Sequence, residues 1–471
     1  MAYIVATVSK YIIIFLMCFY TLSCFTGFFK DDEKKEKRIH LYQNFLMFFL
    51  HFLSFLVMYL RTDDQRFVPF YLAQVVLFLG TIILYNLLYP KVSRLIVNNM
   101  CMCICIGLMI IARLNFDLAI RQLVFAVLGV TFGLFVPVII RKMKYLAKWR
   151  WIYAVVGIVT LLVVFFFADE QLGARRAIFI NDVSVQPSEV IKIVFVFFVA
   201  ASLKYSTSFK DVVITTAVAG VHIVILVLST DLGTSVTMFI AYIVMLYVAT
   251  RQPLYALLGI AGGAGASILG YQMFSHVRTR VAAWQDPFVI YDTGGYQLAQ
   301  SLFAVGSGGW FGTGLFRGLP NSIPVVTEDF IFSAIVEELG VIFALCLILI
   351  CVSCYVMFLN VAMELRQPFY KLIALGLGTT YIFQVFLTVG GSIQFIPSTG
   401  VTLPLISYGG SSFLSTMVMF GIIQGLYIVR EDEEDLIEKR KQGPYEEVER
   451  TESRKKRREP TFQEVPKQRI R

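Results

Sequence analysis

Charge is what this chain of 471 residues has least of. Asp, Glu, Lys and Arg together make up 15% of it, whereas a soluble domain carries roughly a quarter. Hydrophobic residues reach 57%, and mean hydropathy is +0.72. The scarcity of charge excludes a soluble globular fold. Short alternating segments are missing too, which excludes a transmembrane β-barrel. The four histidines (His40, His51, His222, His276) form no ligand cluster. The eight cysteines (Cys18, Cys24, Cys101, Cys103, Cys105, Cys346, Cys351, Cys354) all fall inside apolar runs and read as small buried hydrophobes. Cys101, Cys103 and Cys105 are two apart and cannot share a helical face, which argues against a metal site there. No phosphate-binding glycine loop ending in GK[ST] is present, and no nucleotide fold, which argues against transport driven by the chain's own ATP hydrolysis. Nothing calls for a nucleic-acid partner, although the net charge is +9.

What is present is a series of apolar windows of the roughly 20 residues that span a bilayer core as helix. They lie near 4–28, 40–60, 67–89, 98–113, 121–141, 149–168, 188–204, 211–229, 234–250, 254–272, 329–358, 367–390 and 404–429. The reading is an all-α polytopic membrane protein of about thirteen spans. The first window lacks a cleavage site and is followed by Lys30, Lys34, Lys35, Lys37 and Arg38, so it reads as an uncleaved span. Basic loops at 30–39, 91–94, 141–150, 204–210, Arg251 and 366–371 fall on one face, which the positive-inside rule makes cytoplasmic. The N-terminus is then outside and the C-terminal tail inside. That tail, 430–471, is acidic first and basic later, poor in apolar residues, and expected to be disordered.

The polar residues concentrate on the outer face. In 169–189 (DEQLGARRAIFINDVSVQPSE) the pair Arg175 and Arg176 fits a phosphate or pyrophosphate, because a guanidinium presents paired donors to such oxygens. Pairing with Asp169 or Glu170 is the alternative. Glu189 and Lys192, three apart, share one helical face inside a span. Such groups face a polar cavity or pair with one another. Asp231, in STDLGTS, either caps the next helix or lines the same cavity.

The stretch 284–340 is the least like a membrane span: a long, glycine-rich, aromatic loop within 273–327, then Glu328 and Asp329 opening a helix. The loop is expected to be ordered, with a short helix over 296–305. A carboxylate in a first helical turn stays ionised, and such a group near arginines can act as a general base. Glu337 and Glu338 follow, at least one of them facing the interior. Finally 390–412 (GGSIQFIPSTGVTLPLISYGGSS) interrupts helix with two prolines and several glycines. Such backbone at membrane depth is tolerated where protein buries it or where it lines a wet cavity. These features define an acid- and arginine-lined outer site for an amphipathic anionic lipid. They leave open an enzyme acting on a lipid-linked substrate or a transporter of such a lipid.

Several of these segments, in order, resemble the SEDS family (FtsW, RodA, SpoVE). The matches are GARR and QPSEVIK (173–176, 186–192), DLGT (231–234), GYQLAQSLFAVGSGG with FGTGL (295–315), DFIFSAIVEELG (329–340) and IPSTGVTLPLISYGGSS (396–412). The resemblance covers 98–429, implying a ten-helix SEDS core preceded by about three extra N-terminal helices (1–97) and followed by the tail. It implies a peptidoglycan glycosyltransferase that polymerises lipid II at the outer face of the bacterial cytoplasmic membrane in elongation, division or sporulation. A lipid II flippase is the alternative. The resemblance places the catalytic base on Asp329. It makes Arg175, Arg176, Glu189, Lys192, Asp231, Gln297 and Ser407 substrate-binding candidates. It allows a divalent cation, Mg or Mn, at Glu189, Asp231 and Asp329, with no organic cofactor. The implied partners are a class B penicillin-binding protein as transpeptidase and other divisome or elongasome membrane proteins. The chain departs from the family pattern at Ala177, at Ser229 to Asp231, at Thr327 and Glu328, and at Thr388.

Overall fold

The computed structural model describes residues 2–26, 33–143, 145–168, 177–180, 183–204 and 207–456. Within them the chain is a helical bundle: α1 (Ala2–Thr26), α2 (Glu33–Thr62), α3 (Phe67–Leu88), α4 (Arg94–Leu114), α5 (Phe116–Lys142), α6 (Arg150–Phe167), α7 (Ser188–Leu203), α8 (Phe209–Leu228), α9 (Leu232–Thr250), α10 (Pro253–Met273), α11 (Ser275–Gln285), α12 (Tyr296–Gly308), α13 (Ile331–Glu364), α14 (Pro368–Ser392) and α15 (Gly410–Lys456). One antiparallel hairpin, β1 (Ile178–Ile180) with β2 (Val183–Val185), precedes α7 and is the only sheet among the described residues.

Twelve of the helices are long and apolar enough to cross a membrane. The thirteenth expected span, α7, has 16 residues, about 24 Å at 1.5 Å per residue against a hydrocarbon core of ~30 Å. It is nevertheless central, packing against α6, α8, α9, α14 and α15. Helix α4 is buried on every side, against α2, α3, α5 and α13. That is why Cys101, Cys103 and Cys105 are all buried although they share no face. Gly107 lets the backbone of the coil before α15 pass against α4: a Cβ there would stand 2.7 Å from the Ile406 carbonyl oxygen.

The three N-terminal helices belong to the same core rather than hanging beside it. Tyr20 of α1 donates to Asn99 Oδ1 of α4 at 3.2 Å, and Asn99 donates on to Ser353 of α13 at 3.2 Å. Asn98 donates to Gln43 Oε1 of α2 at 3.0 Å. Buried amide-rich bonds of this kind tie helices together where lipid offers no hydrophobic drive between them.

At the opposite end of the chain α15 continues helical through the acidic run that was expected to begin a disordered tail. Asp432 and Asp435 accept from Lys91 at 2.8 and 2.5 Å, Asp432 also accepts from Arg141 at 2.7 Å, and Glu433 accepts from the Arg366 amide at 3.1 Å. These partners come from three of the basic loops, so the acids have somewhere to go and the helix is held.

Candidate functional site

The site is built on the coil at 393–409 between α14 and α15. This coil touches most of the polar elements of one end of the bundle. Arg280 of α11 donates to the Ser398 carbonyl at 3.2 Å, and Gln394 donates to the Trp284 carbonyl at 2.8 Å. Thr388 of α14 donates to the Val401 carbonyl at 2.9 Å, and Gln122 of α5 donates to the Ser407 carbonyl at 3.3 Å. Non-helical backbone is thereby satisfied inside protein, as a membrane requires.

On this coil rests the turn that carries Asp329. Three consecutive carbonyls of the turn are held. Thr327 accepts from the Tyr408 amide at 2.8 Å, Glu328 from Ser407 Oγ at 2.5 Å, and Asp329 from Ser392 Oγ at 3.4 Å. The amides of Glu328 and Asp329 both return to the Val325 carbonyl, at 3.1 and 3.2 Å. Helix α13 starts only at Ile331, so Asp329 lies in a fixed turn ahead of the helix, not in its first turn. Its side chain is half-buried, while Glu328 is exposed. A further hydroxyl chain fastens the neighbouring elements. Ser301 of α12 and Ser333 of α13 are 2.5 Å apart, and Ser301 donates to the Ser392 carbonyl at 2.7 Å.

Glu189 and Lys192 pair as their spacing predicts, at 2.9 Å, with side chains 5% and 2% exposed. Lys192 also donates to Gln384 Oε1 of α14 at 2.8 Å, and Gln384 donates to the Thr402 carbonyl of the coil at 3.0 Å. The Glu189 carbonyl accepts from Ser415 of α15 at 2.7 Å. The pair therefore links α7 to the coil and to both flanking helices. Asp231 caps α9, accepting from the Thr234 amide at 3.3 Å through Oδ1. Its other oxygen accepts from Ser188 at 2.8 Å and from Gln186 at 3.2 Å. The cap thus also anchors the start of α7.

Glu337 and Glu338 are both buried, and they serve a break in α13 that sequence periodicity does not reveal. At Gly340 (φ 85°, ψ 165°) the helix is interrupted, and the segment 309–319 docks there. The amides of Thr313 and Gly314 donate to the carbonyls of Glu337 and Glu338, each at 2.8 Å. The amides of Val341 and Ile342 donate to the carbonyls of Gly309 and Trp310 at 3.0 and 3.3 Å. Each of these groups would otherwise have been satisfied four residues along the helix. The carboxylates complete the dock. Glu337 accepts from the Leu319 amide at 2.7 Å, and Glu338 accepts from the Phe316 amide at 3.1 Å and pairs with Arg113 of α4 at 2.8 Å. Arg113 itself lies 4.3 Å from the Phe316 ring centroid. Its only sequence signal was a basic residue in the last turn of a buried span. Gly312, at φ 69°, passes so close that a Cβ would stand 2.3 Å from the Glu338 carbonyl oxygen.

Arg175 and Arg176 lie outside the described residues. Gln297 is exposed on α12. Ser407 is buried, with its hydroxyl bridging the Leu403 amide (2.9 Å) and the Glu328 carbonyl, so it supports the turn rather than facing ligand. Glu189, Lys192 and Asp231 are buried as well. Among the described residues no three His, Cys, Asp or Glu side chains gather as a metal site would need. Glu189 and Asp231 are occupied by Lys192, Ser188 and Gln186, so the three proposed cation ligands are not brought together. A surface recess of about 600 Å³ is lined by Tyr59, Gln65, Arg66, Val68 and Pro69, none of them a candidate site residue.

Fold and site together define a multi-pass membrane protein whose polar residues are gathered where helices are interrupted. The chain belongs to the FtsW/RodA/SpoVE family of cell cycle proteins, whose profile matches residues 91–431. It is similar to the peptidoglycan glycosyltransferase RodA of Mycobacterium leprae, with 34% identity over 321 residues, 65% of this chain and 69% of that one. It is similar to the probable peptidoglycan glycosyltransferase FtsW of Saccharophagus degradans, with 30% identity over 359 residues, 70% and 92% of the two chains. Among solved structures, a chain from a peptidoglycan synthase complex that coordinates polymerization and crosslinking aligns with TM-score 0.61 at 21% identity. It covers 71% of this chain and 97% of that one. RodA of Thermus thermophilus aligns with TM-score 0.53 at 20% identity, covering 71% and 96%.

Proposed function

We propose that the chain is a peptidoglycan glycosyltransferase that polymerises lipid II at the outer face of the bacterial cytoplasmic membrane, with Asp329 as its general base. The observation that carries this reading is the turn at 327–329. Its three carbonyls are each hydrogen-bonded from the coil or the end of α14, which fixes the Asp329 backbone while the side chain remains half-buried at the surface of the bundle. A base must be held within hydrogen-bond reach of the proton it takes, and a pinned backbone does that.

In the proposed step the hydroxyl oxygen of the acceptor sugar attacks the anomeric carbon of the donor. The new C–O bond forms, the bond from that carbon to the pyrophosphate oxygen breaks, and undecaprenyl pyrophosphate leaves with the electron pair. The hydroxyl proton passes to the Asp329 carboxylate. Arg175 and Arg176 are proposed to steady the pyrophosphate. The buried Glu189–Lys192 pair and Asp231 set the shape of the wall behind the site. A divalent cation would arrive with the substrate's pyrophosphate, because the described residues offer no gathered donor set.

The membrane orientation follows the same reading. Thr7 and Lys10 of α1 bond to the 309–319 segment, on the side of the candidate base, which supports an outer N-terminus. The acids of α15 engage the basic loops, which supports an inner C-terminus. A class B penicillin-binding protein is the proposed crosslinking partner, within an assembly of other division or elongation membrane proteins.

The test is purified protein, with and without that transpeptidase, given lipid II. Long glycan chains should form and should be lost in Asp329→Asn. Chains formed equally by the variant would refute the role of Asp329. Lipid crossing vesicle membranes with no chains under any condition would favour a flippase.

A further inference from the structure

The break at Gly340 leaves the end of α13 that follows the Asp329 turn as a short segment, 331–339, with its own attachment. At nine residues it is about 14 Å long. Its far end is fastened to the 309–319 segment by the Thr313 and Gly314 amides and the two carboxylates described above, and the same segment accepts from the Val341 and Ile342 amides just beyond the break. A helix broken in this way can bend at the break, and a change of angle there moves the turn at 327–329. Something has to fix that angle.

Helix α1 touches both the docked 309–319 segment and α13 beyond the break. Near its N-terminal end, Lys10 Nζ donates to the Gly312 carbonyl at 2.9 Å, and Thr7 Oγ1 accepts from Arg317 at 2.7 Å. The Tyr11 and Phe311 rings lie 5.6 Å apart. Farther along, Thr21 Oγ1 donates to the Cys346 carbonyl at 3.4 Å, and the Cys18 and Cys346 sulfurs are 3.7 Å apart. The first group of contacts grips the segment that holds 331–339. The second grips α13 beyond the break. Helix α1 lies outside the family match at 91–431, so these contacts are additional to the shared core.

We propose that α1 is a strut across the α13 break, and that Lys10 is a positioning residue for Asp329, acting through the 309–319 segment. The inference rests on the reading of Asp329 as the base. Its effect would be on turnover more than on substrate binding, because Lys10 meets backbone of the docked segment and the reacting groups lie at the other end of 331–339.

The experiment compares wild type, Lys10→Ala and Lys10→Arg in the full-length protein with its transpeptidase. Two readouts are taken: backbone hydrogen exchange, and initial rates of lipid II polymerisation across a range of lipid II concentrations. Lys10→Ala should raise exchange at 309–319 and 337–342 while leaving 393–409 as in wild type. It should lower kcat about three- to tenfold, the scale set by one partly exposed hydrogen bond, with KM within twofold. Lys10→Arg should restore most of the rate. Unchanged exchange at 309–319 in Lys10→Ala would overturn the strut, as would a kcat loss that the arginine does not recover. If exchange responds as expected but wild type makes no glycan, the strut stands and the glycosyltransferase reading fails.

Discussion

Removing Lys192 alone should cost far more stability than removing it together with Glu189. Lys192→Met leaves the Glu189 carboxylate, 5% exposed, without its counter-ion. Stranding one member of a buried pair costs about 3–5 kcal/mol. The same change takes the donor from Gln384 Oε1, a further ~1 kcal/mol, so the single variant should lose about 4–6 kcal/mol. Glu189→Gln strands a lysine that is 2% exposed and should cost about 3–5 kcal/mol. The double variant carries no buried charge and loses chiefly the bond to Gln384, so about 1–2 kcal/mol is expected. The coupling between the two sites would then be at least ~5 kcal/mol. Equilibrium unfolding in mild detergent with added SDS measures all four proteins. If either single variant lost under about 1 kcal/mol, the pair would not be held as charges in a dry interior, and the account of α7 given above would be wrong. Polymerisation by the double variant then separates two roles. Activity that returns with stability marks the pair as support for the wall, and activity that stays absent marks Lys192 as a contact to substrate.

Three further outcomes follow from the geometry. Asp329→Asn should cut the polymerisation rate by about 100-fold or more, the scale of general-base catalysis, whereas Glu328→Gln, at an exposed side chain, should stay within about threefold; equal losses in a lipid II assay would show that the wrong carboxylate has been chosen. Gly312→Ala adds a Cβ 2.3 Å from the Glu338 carbonyl oxygen at φ 69°. The left-handed backbone alone costs ~1–2 kcal/mol, so the midpoint of detergent unfolding should fall, and trypsin should cut after Arg317 faster than in wild type. Lys91, hydrogen-bonded to Asp432 and Asp435, has its pKa raised above the ordinary 10.5. A cation raised in this way contributes stability that is fully present below pH 10.5 and is lost as pH climbs through the higher folded-state value. Because its side chain is 34% exposed, Lys91→Met should cost no more than about 1 kcal/mol at pH 8, and the difference from wild type should vanish in strong alkali.

What was legible in the sequence was whatever depends on local composition. Long apolar windows give spans because every backbone group in lipid must be satisfied within its own segment, and twelve windows became helices of spanning length. The Glu189–Lys192 pair and the Asp231 cap were legible because both are local contacts, three residues apart along a helix or across its first turn. The break at Gly340 was not, because IVEELGVIF continues the helical period and a lone glycine inside a helix reads as tolerated. Only the docking of 309–319, some thirty residues earlier in sequence, makes it a break. The start of α13 was misplaced for a similar reason. Glu328 and Asp329 look like first-turn acids, but the carbonyls around them are held by Tyr408, Ser407 and Ser392, contacts across sixty to eighty residues that no local pattern carries. The acidic run after Arg430 read as a solvated tail because its partners, Lys91, Arg141 and the Arg366 amide, belong to three separate loops.

The polar residues of the bundle sit where they do for a common reason. A full-length span places its middle in hydrocarbon, where an ionised group is expensive, and every backbone bond it makes is internal, leaving nothing to grip a neighbour. The elements that carry Glu189, Lys192, Asp329, Glu337 and Glu338 escape both limits. Helix α7 has 16 residues, 331–339 has about nine before its break, and the turn of Asp329 ahead of it rests on the 393–409 coil. Each ends inside the protein and so exposes amides or carbonyls that other segments must satisfy. Ser407, Ser392, Gln384, Ser415 and the 309–319 backbone do so. The bonds that make interrupted backbone tolerable at membrane depth are therefore the same bonds that fix Asp329 in space. Substitutions of these polar side chains should consequently lower stability and turnover together, whereas substitutions on lipid-facing positions such as Val124, Phe135 or Val155, all exposed, should leave both nearly unchanged.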